Sequence, residues 1–468
     1  MLLVQLAWAC VVPAFRGVDE VDHVYRAASV ARGNWLPDYQ APADGRGDLI
    51  PVPEDIVLAA EPVCEFLKYN GPDNCHAVQD LGRGQVTVAS AAARYNPVFY
   101  WVIGTPARPF DGATAVYVMR AVAALLCAAL IATGAALTRR WSSSVWPSVA
   151  LVAAITPIVT YSNTLAAPNG LELSAALLLW TALMGLATRP DPRLERHLLL
   201  AAGGASLVIA TVRSLGPLWL ALILLTGIWL VGRTELRGLF ARNRVRVLLL
   251  GVATMAAVVG GAVWILLAHP NSPAADSSPF PGSAWTQLPW GIPLWVVQCI
   301  GAFPLRNEPA PVLVYAVFLT LWGALVLGGL RAGRYRGPIT CVAASSLLIP
   351  VALTLKSFSQ IGLAWQGRYG YPLAMGVLLL AGLAMDRSGA LRNGRRVHVH
   401  LAFAMAAVAC AYAQVAVRTI VLDADLHPAW VGPSWLAVLL TVAGYAALAV
   451  ALAPPPGAPA TTKPQPAD

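Results

Sequence analysis

The chain has 468 residues, of which 57% are hydrophobic and only 12% charged, and it carries a net charge of +9. Soluble domains hold about 25% charged residues, so this composition excludes a water-soluble enzyme and points to a multi-pass membrane protein. The positive excess is read first as membrane topology rather than as a nucleic-acid footprint, and no zinc-type Cys/His spacing, Walker loop or dinucleotide fingerprint stands out.

Residues 1–15 are apolar enough to insert yet shorter than the ~20 residues that span a bilayer. Lacking a basic n-region and a small-x-small cleavage site, they read as a first transmembrane helix. A cleaved signal peptide is the alternative, and the short length leaves room for a start further upstream.

Directly after it comes F-R-G-V-D-E-V-D-H-V-Y, which places Asp19, Glu20, Asp22 and His23 within five residues at a membrane edge. A helix here puts Glu20 and His23 on one face and Asp19 one turn from His23. Carboxylates held beside an imidazole in a half-open site are what general-base chemistry requires. The plainer reading is a solvated helix N-terminus whose acids favour the positive end of the dipole.

The stretch 16–112 is polar and punctuated by Pro and Gly, too long for a simple connection, and reads as a small folded layer. It holds thirteen acids and eight bases, a net charge of −5 in a chain that is +9 overall. Asn96-Pro97-Val98-Phe99-Tyr100-Trp101 marks an aromatic re-entry into the membrane interface. Apolar runs follow at 113–137, 145–163, 170–187, 197–212, 215–231, 245–268, 311–330, 338–355, 369–385, 397–417 and 433–453. With the first, they predict an all-α integral membrane protein of about twelve transmembrane helices.

Alternate connections carry dense arginine, such as Arg139-Arg140, Arg233 to Arg246 and Arg387 to Arg396, always on the same side. The positive-inside rule makes that side cytoplasmic, with both termini inside and the acidic loop outside an inner (cytoplasmic) membrane. Residues 285–305, broken by Pro289, Gly291 and Pro293, are assigned to a re-entrant or surface-lying part of a second outer segment, 269–310. Residues 1–453 then form one polytopic domain, and 454–468 a disordered cytoplasmic tail. Cys64 and Cys75 both fall in the outer loop, where an oxidising compartment favours a disulfide over two free thiols.

Arg213, Lys356, Arg368 and Arg418 sit at the outer ends of their spans and Arg306 lies in the second outer segment, on the face that the positive-inside rule should deplete. Each alone reads as an interface anchor. Together they form a cationic ring facing an acidic loop. Arg368 has the most specific context, with Gly367 allowing close backbone approach and Trp365, Tyr369 and Tyr371 around a guanidinium fork suited to phosphate. Arg120 and Glu172 lie within spans and read as helix-to-helix polar contacts.

D-E-x-x-H at Asp19 to His23 after a short first helix, Asn96-Pro97-Val98-Phe99-Tyr100, Ala167-Pro168-Asn169-Gly170-Leu171, and Gln366-Gly367-Arg368-Tyr369 with Pro372 occur in this order. In these motifs the chain resembles the bacterial membrane proteins of domain-of-unknown-function family 2142, over about residues 1–450. That family looks like a branch of the GT-C glycosyltransferases, multi-helix enzymes that take a sugar from a polyprenyl-phosphate carrier. The chain departs from the family pattern at Val18, where proline commonly stands, and at Asn169, where aspartate is usual.

The resemblance implies a GT-C-like fold and an enzyme of cell-envelope glycan assembly at the outer leaflet. Asp19 is the expected base, with Glu20 beside it and His23 orienting. Arg368, helped by Lys356, Arg213 or Arg306, is expected to hold the lipid phosphate, with Gln366, Tyr369 and Asn169 on the substrate face. The partners implied are the bilayer, a lipid-linked sugar donor and an envelope glycan or lipid acceptor, with no nucleic acid, metal or bound cofactor. A transporter or flippase for an envelope precursor, or a non-catalytic assembly partner, is the alternative. Against a transporter, no internal repeat relates the two halves, and the long first loop is unlike the connections of a symmetric carrier.

Overall fold

The computed structural model describes residues 1–36, 40–67, 69–268, 281–303, 308–388, 396–423 and 431–452. Arg306 and the tail beyond 453 lie outside them. Helix α1 (Leu2–Val11) leads through a turn to α2 (Glu20–Ala31), then β1 (Asp48–Pro53), α3 (Glu54–Phe66), α4 (Pro72–Cys75), β2 (Gln79–Gly82), β3 (Gln85–Ser90) and α5 (Pro97–Gly104). Next come α6 (Gly112–Trp141), α7 (Trp146–Ala154), α8 (Pro157–Ser162), α9 (Pro168–Leu186), α10 (Pro192–Val212), α11 (Gly216–Val231) and α12 (Arg233–Ala268). The chain closes with α13 (Ala284–Gln298), the two-residue strands β4 (Ala302–Phe303) and β5 (Glu308–Pro309), α14 (Val312–Ala332), α15 (Arg336–Ile361), α16 (Gly367–Asp386), α17 (Arg396–Asp423) and α18 (Ser434–Leu452).

Among the described residues, nine helices are long and apolar enough to cross a membrane: α6, α9, α10, α12 and α14 to α18. The other three expected spans are shorter than a bilayer crossing. α1 and α11 are apolar but have 10 and 16 residues. The run 145–163 is two helices, α7 and α8, because Pro157 has no N–H with which to continue the ladder.

The carbonyls exposed at that break do not stay bare. Trp322 Nε1 donates to the Ala153 carbonyl at 2.9 Å, the Tyr371 hydroxyl to Ala154 at 2.9 Å and the Tyr445 hydroxyl to Ile155 at 3.4 Å. Three different helices therefore satisfy three consecutive carbonyls that water cannot reach. Helix α9, buried along its whole length, sits at the centre of the bundle against α6, α10, α11 and α16.

The polar stretch after α1 folds as its own layer. β1, β3 and β2 form an antiparallel sheet in that order, with Ile50 paired to Val88 and Val52 to Val86. Those four side chains are buried beneath α2 with Val24, Tyr25 and Tyr100, in a second apolar core separate from that of the bundle. Cys64 at the end of α3 and Cys75 at the end of α4 are joined by a disulfide. The segment 285–305 is mostly the 15-residue α13, packed on α15 and α16.

Candidate active site

Asp19 stands immediately before α2 with a left-handed backbone, φ 57°. Asp is one of the few residue types besides glycine that visits this region routinely. The sheet fixes the helix that follows: Arg46 Nη2 lies 2.6 Å from Asp22 Oδ2, the Ala91 N–H donates to Asp22 Oδ1 at 2.7 Å, and Ser90 Oγ donates to the Asp22 carbonyl at 3.0 Å.

Arg368 arrives from the first turn of α16. The Gly367 N–H donates to Gln298 Oε1 at 2.8 Å, and the Gly367 Cα lies so close to the Trp295 carbonyl that a Cβ would overlap it. That is the close approach the sequence demanded of this glycine. Asn169 lies in the first turn of α9, where a Cβ on Gly170 would likewise overlap the Ser162 carbonyl. Two glycine contacts thus seat the start of α9 on α8 and the start of α16 on α13.

The result is an open cleft of about 410 Å³ lined by Asp19, His23, Tyr95, Asn169, Arg213, Arg368 and Tyr369 among others. Arg368 Nη2 lies 3.1 Å from Asp19 Oδ2. Arg213 Nη1 donates to Asn169 Oδ1 at 2.8 Å, and its Nε lies 3.6 Å from Glu172 Oε2. Both guanidiniums lie over the Tyr369 ring, at 4.7 Å for Arg213 and 5.4 Å for Arg368. One aromatic ring therefore lies against two cations, an arrangement that invites an anion near them. Tyr95, Arg213 and Tyr369 also wall a wider cavity of about 1490 Å³ that includes Gln366, Trp365 and Trp295.

Of the residues the sequence nominated, Asp19, His23, Asn169, Arg213, Arg368 and Tyr369 meet in the cleft, and Gln366 lies in the adjoining cavity. Glu20 does not line the cleft. It is fully buried, taking Arg120 Nε at 2.7 Å and Nη2 at 2.5 Å, and the N–H groups of Gly17 and Ala166 at 3.1 Å each. Lys356 is also absent: it is exposed, while its neighbours Leu353, Thr354 and Ser357 face the wider cavity. Arg418 caps the Gly432 carbonyl at 2.7 Å. Arg120 and Glu172 do make contacts between elements, with Glu20 and Arg213 respectively.

His23 Nδ1 lies 2.8 Å from the Tyr100 hydroxyl. Burial lowers the His23 pKa to about 4, with Arg213 and Arg368 adding to the effect and Asp19 opposing it. It is a neutral ring at physiological pH, able to exchange a hydrogen bond but not to supply a positive charge. Tyr95 and Ser162 in the cleft were not foreseen. Tyr95 directly precedes the aromatic re-entry motif, which is the one signal that could have found it.

No curated protein matches the sequence. Among solved structures, the fold is similar to the crystal structure of ArnT from Cupriavidus metallidurans in the apo state, at a TM-score of 0.45 and 16% identity over 96% of this chain and 75% of that one. It is likewise similar to the crystal structure of ArnT from Cupriavidus metallidurans bound to undecaprenyl phosphate, at 0.43 and 16% over 96% and 76%. The predicted membrane proteins DUF2142 match residues 2–377, so this chain, whose cleft gathers the Asp19, Asn169 and Arg368 motifs from three distant elements, belongs to the DUF2142 family.

Proposed function

We propose that the protein is a glycosyltransferase of the GT-C type, using a polyprenyl-phosphate sugar at the outer leaflet of the cytoplasmic membrane, with both termini cytoplasmic. Asp19 accepts the proton of an acceptor hydroxyl. The hydroxyl oxygen bonds to the anomeric carbon as the bond from that carbon to the phosphate oxygen breaks, and the electron pair leaves on the phosphate. Arg368 and Arg213 neutralise the departing phosphate. A single displacement inverts the anomeric centre. His23, neutral and bonded to Tyr100, orients the acceptor or Asp19.

The observation that carries this reading is the pairing of one carboxylate at the cleft edge with two arginines stacked on one tyrosine. General-base catalysis needs the first, and a phosphate leaving group needs the second. The wider cavity beside Arg213 and Tyr369 gives room for the rest of a lipid-linked donor or for the acceptor.

The test is mass spectrometry of lipid-linked sugars and envelope glycans from a deletion strain complemented with wild type or Asp19→Asn. A sugar-charged polyprenyl phosphate that accumulates in the deletion and the Asp19→Asn strain, and not with wild type, is the expected result. Full complementation by Asp19→Asn would remove Asp19 as the base.

A further inference from the structure

A polyprenyl-phosphate sugar is a phosphodiester, and two groups of opposite character leave its phosphate: an apolar chain and a hydroxylated ring. The protein offers each a different space beside Arg213. On one side, Arg213 and Tyr95 wall a cavity of about 840 Å³ that Val212, Pro217, Val258 and Ile265 also line. Pro217 and Val258 belong as well to an apolar groove of about 1290 Å³ along α10, α11 and α12. Ser206 and Thr254 are the only polar side chains lining that groove among the described residues. An apolar chain has its way into the bilayer there.

On the other side, the cavity of about 1490 Å³ is mixed in character. Trp295, Trp365 and Tyr369 give it aromatic walls, with Trp365 standing across Tyr369 at 87° and the ring centroids 5.9 Å apart. Gln298, Gln366 and Ser357 add amides and a hydroxyl. Gln298 is 5% exposed, and its Oε1 is taken by the Gly367 N–H, while its Nε2 has no hydrogen-bond partner among the described residues. Thr354 Oγ1, in the same wall, is buried and likewise unpartnered. A lipid chain would leave the Gln298 donor unpaired, which is costly. A sugar, with apolar ring faces and hydroxyls around its rim, meets both kinds of wall.

Charge narrows the sugar further. Arg213 is the only charged residue lining the cavity among the described residues, and the donor phosphate is its counter-ion. Lys356, beside Ser357 in sequence, is exposed and does not line it. No carboxylate is there to pair with a sugar ammonium, and no second cation to pair with a sugar carboxylate. An ionic group enclosed without a partner is disfavoured where a hydroxyl is not.

Building on the glycosyltransferase reading, we propose that this cavity is the donor-sugar subsite and that it takes an uncharged sugar. The ring lies against Trp365 and Tyr369, and its hydroxyls meet Gln298 and Gln366. Amino sugars and uronic acids are rejected for want of a counter-charge, not for their size.

The experiment measures binding of polyprenyl phosphodiesters to the purified full-length protein in detergent at about pH 6, where a sugar amine is protonated and a uronate ionised. The second ester group is methyl, glucosyl, 2-amino-2-deoxyglucosyl or glucuronosyl. The phosphate charge is the same in each, so differences report the group beyond it. Wild type should bind the glucosyl diester roughly tenfold more tightly than the methyl diester, the scale of one or two neutral hydrogen bonds. The amine and the uronate should lose most of that gain. Gln366→Glu and, separately, Ser357→Asp put a carboxylate in the wall and should shift the ratio of amine to glucosyl affinity roughly five- to tenfold toward the amine. Both positions are half-buried, and Gln366 caps the start of α16, where the helix dipole favours an acid. A ratio taken within one protein cancels any change in phosphate binding.

Equal affinity for the glucosyl and methyl diesters would put the sugar outside this cavity, and equal affinity for the three sugars would remove the charge rule. Either result refutes the subsite and leaves the glycosyltransferase reading in place. So does a wild-type preference that neither carboxylate shifts. If the variants instead change the binding of methyl glucoside added beside the methyl diester, the cavity receives the acceptor's ring and the donor assignment is overturned. Binding of none of the diesters by protein that still melts cooperatively overturns the glycosyltransferase reading itself.

Discussion

Glu20 and Arg120 form an ion pair sealed in the interior, with exposures of 0% and 2% and every carboxylate lone-pair direction in use. Arg120 spends its remaining donors on the carbonyls of Val12, at 2.6 Å, and Pro13, at 2.7 Å, so the pair closes the turn between α1 and α2. Removing one partner leaves a buried charge without compensation, which costs about 3–5 kcal/mol. Glu20→Gln should therefore lower the melting temperature of the detergent-solubilised protein sharply. Asp19→Asn, one residue earlier and partly open to the cleft, should melt within a few degrees of wild type. Equal melting of the two would show that the pair is not what fixes the turn.

His23 gives the fold an acid limit. Its folded pKa is about 4 against 6.5 for an ordinary histidine. Between these values the unfolded chain binds a proton that the folded chain refuses, so stability rises with pH across that window. The contribution is intact above about pH 6.5 and falls by about 3 kcal/mol as pH drops through 4. His23→Gln should flatten this limb of a melting temperature against pH curve. A curve unchanged in slope between pH 4 and 6.5 would place the acid sensitivity elsewhere.

The Cys64–Cys75 bond closes a loop over a sequence separation of 11, between two short helices that the sheet layer holds only partly. A loop of that size contributes about 2–4 kcal/mol when unstrained. The double variant Cys64→Ser, Cys75→Ser should retain the transmembrane bundle, while protease cuts between α3 and β2 become faster. Identical cleavage rates with and without the bond would mean that it adds nothing to the native layer.

Gly367→Ala should separate α16 from α13, since its Cβ would overlap the Trp295 carbonyl. Overpacking of this kind costs about 1–3 kcal/mol, and here it also displaces the neighbouring Arg368. Gly370→Ala is the control, because the atom nearest its Cβ is a Trp365 ring carbon at an ordinary 3.5 Å. Phosphate binding should weaken in the first variant and persist in the second. The same binding in both would show that Arg368 does not depend on this helix contact.

Composition alone made the membrane body legible. Motif context picked out Asp19, Asn169 and Arg368 before their meeting was visible. The resemblance put the base at Asp19 with Glu20 beside it, but the burial of Glu20 away from the cleft was beyond the sequence, because a left-handed residue ahead of the helix sends adjacent carboxylates to different surroundings. The same holds for Lys356 and Arg213, both basic and both near a span end. Which one faces inward depends on how α15 and α10 are rotated about their axes, and packing decides that. The sheet went unseen because Leu49-Ile50-Pro51-Val52 contains a proline, and prolines lower any strand reading.

The interruption between α7 and α8 works as a depth gauge for the bundle. Leucine- and alanine-rich helices can slide past one another by a turn, about 5.4 Å, with little change in apolar contact. The Ala153, Ala154 and Ile155 carbonyls forbid such sliding, since each accepts from a fixed donor on α14, α16 or α18. Tyr371 is the donor on α16, three residues beyond Arg368, so the height at which that arginine meets Asp19 is set from below. Tyr371→Phe should therefore allow Arg368 to drift along the membrane normal, although the lost hydroxyl never enters the cleft.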